Sequence, residues 1–235
     1  MSPRSLSPRV ALLMPALDEQ QALAQLLDEL PRQRYARLVV VDNGSTDGTA
    51  AAARAGGAEV VPEPRRGYGQ ACLTGLKALG SDADVIVFMD ADGSDVPAEA
   101  ERVLEPILRG EADLVIGSRA LGRAEPGSMT WPQRWGNRLS VGLIRVLFGH
   151  RYTDLGPFRA IRRQSLERLG MRDTNFGWTA EMQVKAVKRG LRVQEVPVSY
   201  RRRVGRSKIS GTVEGVVRAG TKIIWTIVKL RLTSS

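Results

Sequence analysis

Two carboxylates, Asp90 and Asp92, close the apolar run Val85-Ile-Val-Phe-Met89 at a spacing of i, i+2. A bounded apolar run of this length reads as an interior strand of an α/β sheet. On an extended chain, side chains two residues apart point the same way. Both acids would therefore meet beyond the carboxyl end of the strand, where open α/β sheets bind their ligands. Two hard oxygen donors there suit Mg²⁺ or Mn²⁺, which keep several waters and bridge to a substrate phosphate. The same pattern also fits a strand-end turn in which an aspartate caps the following helix.

Little else in the chain offers a different chemistry. There is one histidine, His150, and one cysteine, Cys72. Multi-histidine zinc sites are excluded, and a Ser-His-Asp triad would have to use His150, for which no G-x-S-x-G nucleophile motif exists. A lone cysteine makes no intramolecular disulfide and points to a reducing compartment. Catalysis must then rest on carboxylates and arginines, with or without a bound cation. The N-terminal nine residues carry no apolar signal core, and no window approaches a membrane span. A cytoplasmic location is expected. The net charge is +10, and residues 201–235 hold nine Lys/Arg against the single acid Glu214. Such a local basic cluster suits phosphate, whether of nucleotide or lipid. A nucleic-acid partner is not expected, because aromatics are 5% of the chain and do not alternate with the basic residues.

The 235 residues, 43% hydrophobic, are enough for one large α/β domain or two small ones. Apolar runs predict strands at 10–14, 38–41, 59–61, 85–89 and 113–116. Helices are predicted over 19–30 (capped by Asp18), from the 42–48 turn to Gly56, over 70–79 and over 97–109. This alternation predicts a mostly parallel central sheet with helices on both faces. Beyond residue 120 the pattern is less regular. Residues 134–149 form an amphipathic helix whose apolar face meets either the core or a membrane. The tail from Gly211 carries an apolar stripe flanked by Arg218, Lys222 and Lys229. It reads either as a helix docked on the domain or as one lying on an acidic membrane.

Four segments in order, Pro15-Ala-Leu-Asp-Glu19, Val40-Val-Asp-Asn-Gly-Ser-Thr-Asp-Gly-Thr49, Met89-Asp-Ala-Asp92 and Gly117-Ser-Arg119, resemble the nucleotide-sugar half of the family 2 glycosyltransferases. Those enzymes have the Rossmann-like GT-A fold. Asp154-Leu-Gly-Pro-Phe-Arg159, Trp178-Thr-Ala-Glu-Met-Gln183, Val196-Pro197 and Arg202-Arg-Val-Gly-Arg-Ser-Lys208 resemble the polyprenyl-phosphate branch, similar to dolichol-phosphate mannose or glucose synthases. The likeness covers about residues 8–225. It implies a GT-A domain over 1–210, with a donor half over about 8–120 and an acceptor half over 121–210. A basic amphipathic helix over 211–235 would follow.

The resemblance also implies roles. Pro15, Leu17, Glu19, Asp42, Gly69, Gln70 and Asp90 would hold the nucleotide sugar, with Asp47 bracing the turn. Arg65, Arg66 and the 67–70 loop would approach the donor closely. Asp90 and Asp92 would hold Mg²⁺ or Mn²⁺; Gly93-Ser94-Asp95 departs from the commoner family versions and adds Asp95 as a further candidate ligand. Asp92, Arg119, Asp154 and Glu181 would be the catalytic set, with Glu181 at the position of a general base. Arg159, Arg201, Arg202, Arg206 and Lys208 would receive phosphate. Relatives with a base often carry an aspartate where Met182 stands. A lipid monophosphate needs no base, since its second pKa lies near ~6. The expected activity is thus an inverting transfer of a hexose from GDP-mannose or UDP-glucose to a polyprenyl phosphate, serving a cell-envelope glycan. Longer relatives carry membrane helices after the basic loop. Without them, the lipid would be met peripherally at the acidic inner membrane face, or through a membrane partner protein. The alternatives are a hydroxyl acceptor with Glu181 as base, and an inactive membrane-associated adaptor. A sugar-nucleotide pyrophosphorylase is disfavoured, because the first strand end has neither glycine nor basic residue.

Overall fold

The computed structural model describes residues 8–205 and 213–233. The first strand, β1 (Val10–Ala16), is pure core: Leu12, Leu13 and Met14 have no exposed surface. It lies between β2 (Arg37–Asp42) and β4 (Val85–Phe88), parallel to both, and β3 (Glu59–Pro62) extends the sheet beyond β2. On the other side β6 (Arg159–Arg162) runs antiparallel between β4 and β5 (Leu114–Ser118), and β7 (Val193–Pro197) closes the edge parallel to β5. The seven strands follow the order β3-β2-β1-β4-β6-β5-β7. The expected mostly parallel sheet is present, with one antiparallel strand the periodicity did not announce. Two of the four β6 residues are arginines, so its apolar signal was too short to read as a strand.

Alternate residues along β1 and β4 feed two cores on opposite faces. One face is covered by α1 (Gln20–Glu29), α2 (Thr49–Ala55) and α4 (Ala100–Leu108), through Leu23, Leu27, Ala53, Val103 and Leu104. The other is covered by α3 (Tyr68–Leu79), α5 (Trp131–Phe148), α6 (Arg163–Leu169), α7 (Trp178–Lys188) and α8 (Val213–Leu232). Burial of this kind contributes roughly 25 cal/mol per Å² of apolar surface and is what fixes the layers.

Several boundaries moved. The cap of α1 is Glu19, not Asp18, which sits at φ +52° and accepts a bond from Thr46 N at 2.7 Å. The helix expected over 97–109 is a 3₁₀ turn at Pro97–Glu99 followed by α4. Helix α5 starts at Trp131 because Thr130 and Gln133 form a reciprocal capping box. Helix α8 docks on α5 and α7 by burying Thr226, Ile227 and Leu230. Its Trp225 remains exposed, as do Trp131 and Trp135 of α5, which stack on each other at 6.5 Å. Among the described residues, no helix is long and apolar enough to cross a membrane.

Candidate active site

The carboxyl ends of β1, β2 and β4 lie side by side because the strands are parallel and in register, Ala16 opposite Asp42 and Leu13 opposite Phe88. The loops that leave them are stitched together. Asp18 N donates to Ser45 Oγ at 3.0 Å, Glu19 N to Thr49 Oγ1 at 2.8 Å, and Gly48 N to Gln20 Oε1 at 2.9 Å. Asp42 accepts from Ser45 N at 2.9 Å. Asp47 braces the turn as expected: it accepts from Thr49 N at 2.9 Å within the turn and from Gln20 N at 3.3 Å at the start of α1. Pro15, Leu17, Glu19 and Asp42 are each half-buried along this rim.

Asp90 and Asp92 follow β4 into the same cleft. Asp90 keeps some exposed surface, but its Oδ1 is wholly shielded and has no hydrogen-bond partner. Burial, and then the adjacent charge of Asp92, push its carboxyl up to about 7, against a bond from the Tyr68 hydroxyl. Asp92 Oδ1 accepts from Ser94 N at 2.9 Å and from the Ser94 hydroxyl. Its Oδ2 lies 3.4 Å from Arg203 Nη1. Asp95 is buried, accepts from Asp90 N at 3.2 Å, and leaves its own Oδ1 without a partner. Burial, Asp90 and Asp92 together hold it well above the usual carboxylate range. Three acids crowd here with two shielded, unpartnered oxygens. That surplus of hard, negative donors suits Mg²⁺ or Mn²⁺. Among the described residues no cluster of three or more ligating side chains forms a metal cage. An ion on Asp90 and Asp92 would therefore draw other oxygens from water and from a diphosphate.

Arg119 stands across the cleft at the end of β5. Asp154 takes its Nε and Nη2 at 2.8 and 2.7 Å and its backbone N–H at 2.8 Å. The guanidinium also covers the Tyr200 ring at 5.0 Å. Burial alone would depress this guanidinium, but the Asp154 charge more than reverses that and keeps it protonated. Both Asp154 oxygens are thus spent on Arg119, so Asp154 is an anchor for the arginine. Arg119 also lines a groove of about 200 Å³ between α5 and α8, together with Met129, Pro132, Leu155, Ile223 and Ile224.

Other expected residues lie elsewhere. Arg159 has no exposed surface and spends its guanidinium on Gly156 O, Thr179 O at 3.2 Å and Gln183 Oε1 at 3.3 Å, so it cannot receive a phosphate. Glu181 is buried too: it accepts from Arg172 N at 3.1 Å, from Asp173 N at 2.7 Å and from Lys185 Nζ at 2.7 Å. It lines a separate cavity of about 430 Å³ against α8, none of whose walls carries Asp90 or Asp92. Gly67 and Gly69 do not face the cleft. A Cβ on them would stand 2.2 Å from Thr174 O and 2.0 Å from Asp173 O, so their bareness admits the 173–174 loop rather than a donor. Gln70 and Arg65 turn to Glu63, at 2.8 Å from Gln70 Nε2 and 2.8 Å from Arg65 N. Arg65, with Thr74 and Gln70, holds that buried carboxyl well below its usual range. Arg66 reaches Gly44 O at 3.3 Å.

Of the basic run, Arg201 pairs with Glu29 at 2.8 Å, and Arg202 bonds Pro126 O at 2.7 Å. Arg206 and Lys208 lie outside the described residues. The arginine that enters the cleft is Arg203, which contacts both Glu19 and Asp92. Sequence reasoning passed over it, because nothing distinguishes the third of three consecutive arginines. Tyr68, in the 67–70 loop expected near the donor, is half-buried, and burial and the nearby Asp90 charge push its hydroxyl well up.

A parallel-sheet Rossmann-like domain with an acid pair at the end of its fourth strand is the architecture of a GT-A glycosyltransferase. The sequence profile of the family described as "Glycosyl transferase family 2" matches residues 11–170, and the chain belongs to that family. It is 37% identical over 215 residues to an uncharacterized glycosyltransferase of Mycobacterium tuberculosis, covering 89% of this chain and 94% of that one. It is 32% identical over 251 residues to the undecaprenyl-phosphate mannosyltransferase of Micrococcus luteus, covering 95% of this chain and 99% of that one. Its fold matches that of the M. tuberculosis glucosyl-3-phosphoglycerate synthase solved with Mn²⁺, UDP and glucosyl-3-phosphoglycerate. There the TM-score is 0.77 at 22% identity, over 97% of this chain and 81% of that one. The protein is a glycosyltransferase.

Proposed function

We propose that the protein moves a hexose from a nucleoside-diphosphate sugar, of the UDP-glucose or GDP-mannose type, to the phosphate of a polyprenyl lipid, with inversion at the anomeric carbon. The observation that supports this reading is the largely apolar groove between α5 and α8, which Arg119 also lines. Its apolar walls suit the first carbons of a hydrocarbon chain, and a guanidinium among them suits a phosphate. The M. luteus relative's name, an undecaprenyl-phosphate transferase, agrees with that acceptor.

Pro15, Leu17, Glu19 and Asp42 line the rim where the nucleoside would lie. Asp90 and Asp92 would hold Mg²⁺ or Mn²⁺, which when bound neutralises charge growing on the departing diphosphate. Arg119, whose Nε and Nη2 are held by Asp154, would meet the acceptor phosphate through its remaining nitrogen, Nη1. A phosphate oxygen attacks the anomeric carbon, the bond from that carbon to the diphosphate breaks, and the nucleoside diphosphate leaves with the electron pair. No proton has to be removed from such an acceptor, so no base worth the usual ~10²–10⁴-fold is required. The bonded state of Glu181 agrees with this and speaks against a hydroxyl acceptor. Exposed Trp131, Trp135 and Trp225, beside basic side chains of α5 and α8, suit the headgroup layer of an acidic cytoplasmic membrane face.

The test is to incubate the protein and Mn²⁺ with UDP- and GDP-sugars carrying labelled hexose, with polyprenyl phosphate in detergent, and count label in the lipid phase. Lipid-linked label that is released by mild acid is expected. Hydrolysis of donor without lipid labelling, or labelling of lipid alcohols in preference to lipid phosphates, would overturn the proposal.

A further inference from the structure

Arg203 occupies the place where the acid cluster most needs a cation. Its Nη2 donates to Glu19 and its Nη1 lies 3.4 Å from Asp92 Oδ2. Its Nε is buried and has no acceptor. The other nearby guanidinium, Arg119, already donates two bonds to the Asp154 carboxylate, which balances its charge. The main chain that carries Arg203 is tied down independently of its side chain. Arg201 N donates to Ser94 O at 2.8 Å, Arg202 N to Glu125 Oε2 at 2.9 Å, and Val204 N to Asp92 O at 3.0 Å. The guanidinium can therefore change partners by rotamer motion while the strap stays on the Asp92 turn.

We infer that Arg203 is a resident stand-in for the metal, bridging Glu19 and Asp92 in the donor-free protein and making metal entry conditional on the nucleotide. The inference rests on the reading of Asp92 as a metal ligand. A divalent ion arriving alone must displace a guanidinium already paired with that carboxylate. A diphosphate supplies several anionic oxygens, enough to take Nη1, Nη2 and the unpartnered Nε together. It thereby frees Asp92 at the moment when it brings the remaining oxygens an ion requires. Metal and nucleotide then bind with positive coupling, which by linkage is the same in either order. The arrangement also keeps three crowded carboxylates from capturing ions when no donor is present.

The experiment is Mn²⁺ titration of the 235-residue chain by calorimetry, with Mn²⁺ alone and with saturating UDP or GDP, for wild type, R203M and R203K. Wild type should bind Mn²⁺ weakly by itself and at least about tenfold tighter with the matching nucleotide, a tenfold change being about 1.4 kcal/mol. R203M should bind Mn²⁺ alone at least about tenfold tighter than wild type, and its nucleotide enhancement should shrink. R203K keeps a charge but cannot bridge two carboxylates, so it should fall between them. Should R203M fail to fold, R203K binding Mn²⁺ alone tighter than wild type supports the inference, and equal binding overturns it. Folded R203M that binds Mn²⁺ alone no tighter than wild type also overturns it, as does a wild type indifferent to nucleotide. Wild type that takes no Mn²⁺ even with both nucleotides sinks the metal-site reading itself, a different result from the loss of coupling alone.

Discussion

Removing Asp154 should unfold a measurable part of the protein's stability and disable acceptor use while sparing the nucleotide. Asp154 is 1% exposed and Arg119 has 14% of its side chain exposed, joined by a two-pronged bond and a third bond to the Arg119 backbone. Truncating one partner of a buried pair leaves a buried charge uncompensated, which typically costs about 3–5 kcal/mol. For a chain of this size each kcal/mol lowers Tm by about 2–4 °C. D154A should thus melt roughly 6–20 °C below wild type. The double variant D154L/R119L removes both charges and should recover much of that loss, since the pair interaction is not additive. Differential scanning fluorimetry reads the melting points, and steady-state kinetics read the lipid phosphate separately from the donor. Nucleotide affinity should change by less than about threefold, because Asp154 and Arg119 sit across the cleft from the β1 and β2 loop ends. A D154A Tm within 2 °C of wild type would refute the reasoning, as would a double variant as damaged as the two singles combined.

Other outcomes follow from the same geometry. Glu181→Gln should lower Tm, because it weakens an ion pair and two backbone bonds, yet leave kcat within about threefold; a loss of about 10²-fold or more at unchanged Tm would restore it as a base. Gly69→Ala should destabilise markedly, since its Cβ would meet the Asp173 carbonyl at 2.0 Å; a thermal melt indistinguishable from wild type would contradict that packing. Asp90 has a folded-state pKa raised to about 7 by burial and Asp92, so the native state holds a proton that the unfolded chain has released. Its contribution is complete at acid pH below the ordinary carboxylate value and fades as pH rises through about 7. In chelator, Tm should therefore fall between pH 5.5 and 8, and Asp90→Asn should flatten that slope; a wild-type slope of opposite sign would count against the buried-acid account.

Much of the fold was legible because its strands are long uniform apolar runs and its first helices have one clean apolar face. The parallel sheet needs little more than that alternation. The acid pair was legible too, since a strand's twofold period and its abrupt end in two aspartates say where the side chains must go. Strand β6 was not, because a buried arginine disguises it and its partners β4 and β5 are distant in sequence. The roles of individual charged residues escaped for the same reason. Asp154 and Glu181 look alike on paper as free carboxylates, and only packing reveals that one is consumed by Arg119 and the other by the 172–173 backbone and Lys185. Glycines at 67 and 69 announced a close approach but not the approaching group, which is a loop a hundred residues further on. The three arginines at 201–203 share a charge and differ only in direction, and direction comes from strap bonds to Ser94, Glu125 and Asp92. Local sequence determines propensity, burial pattern and the kinds of chemistry available. Which charged group meets which partner depends on long-range contacts that exist only once the sheet has assembled.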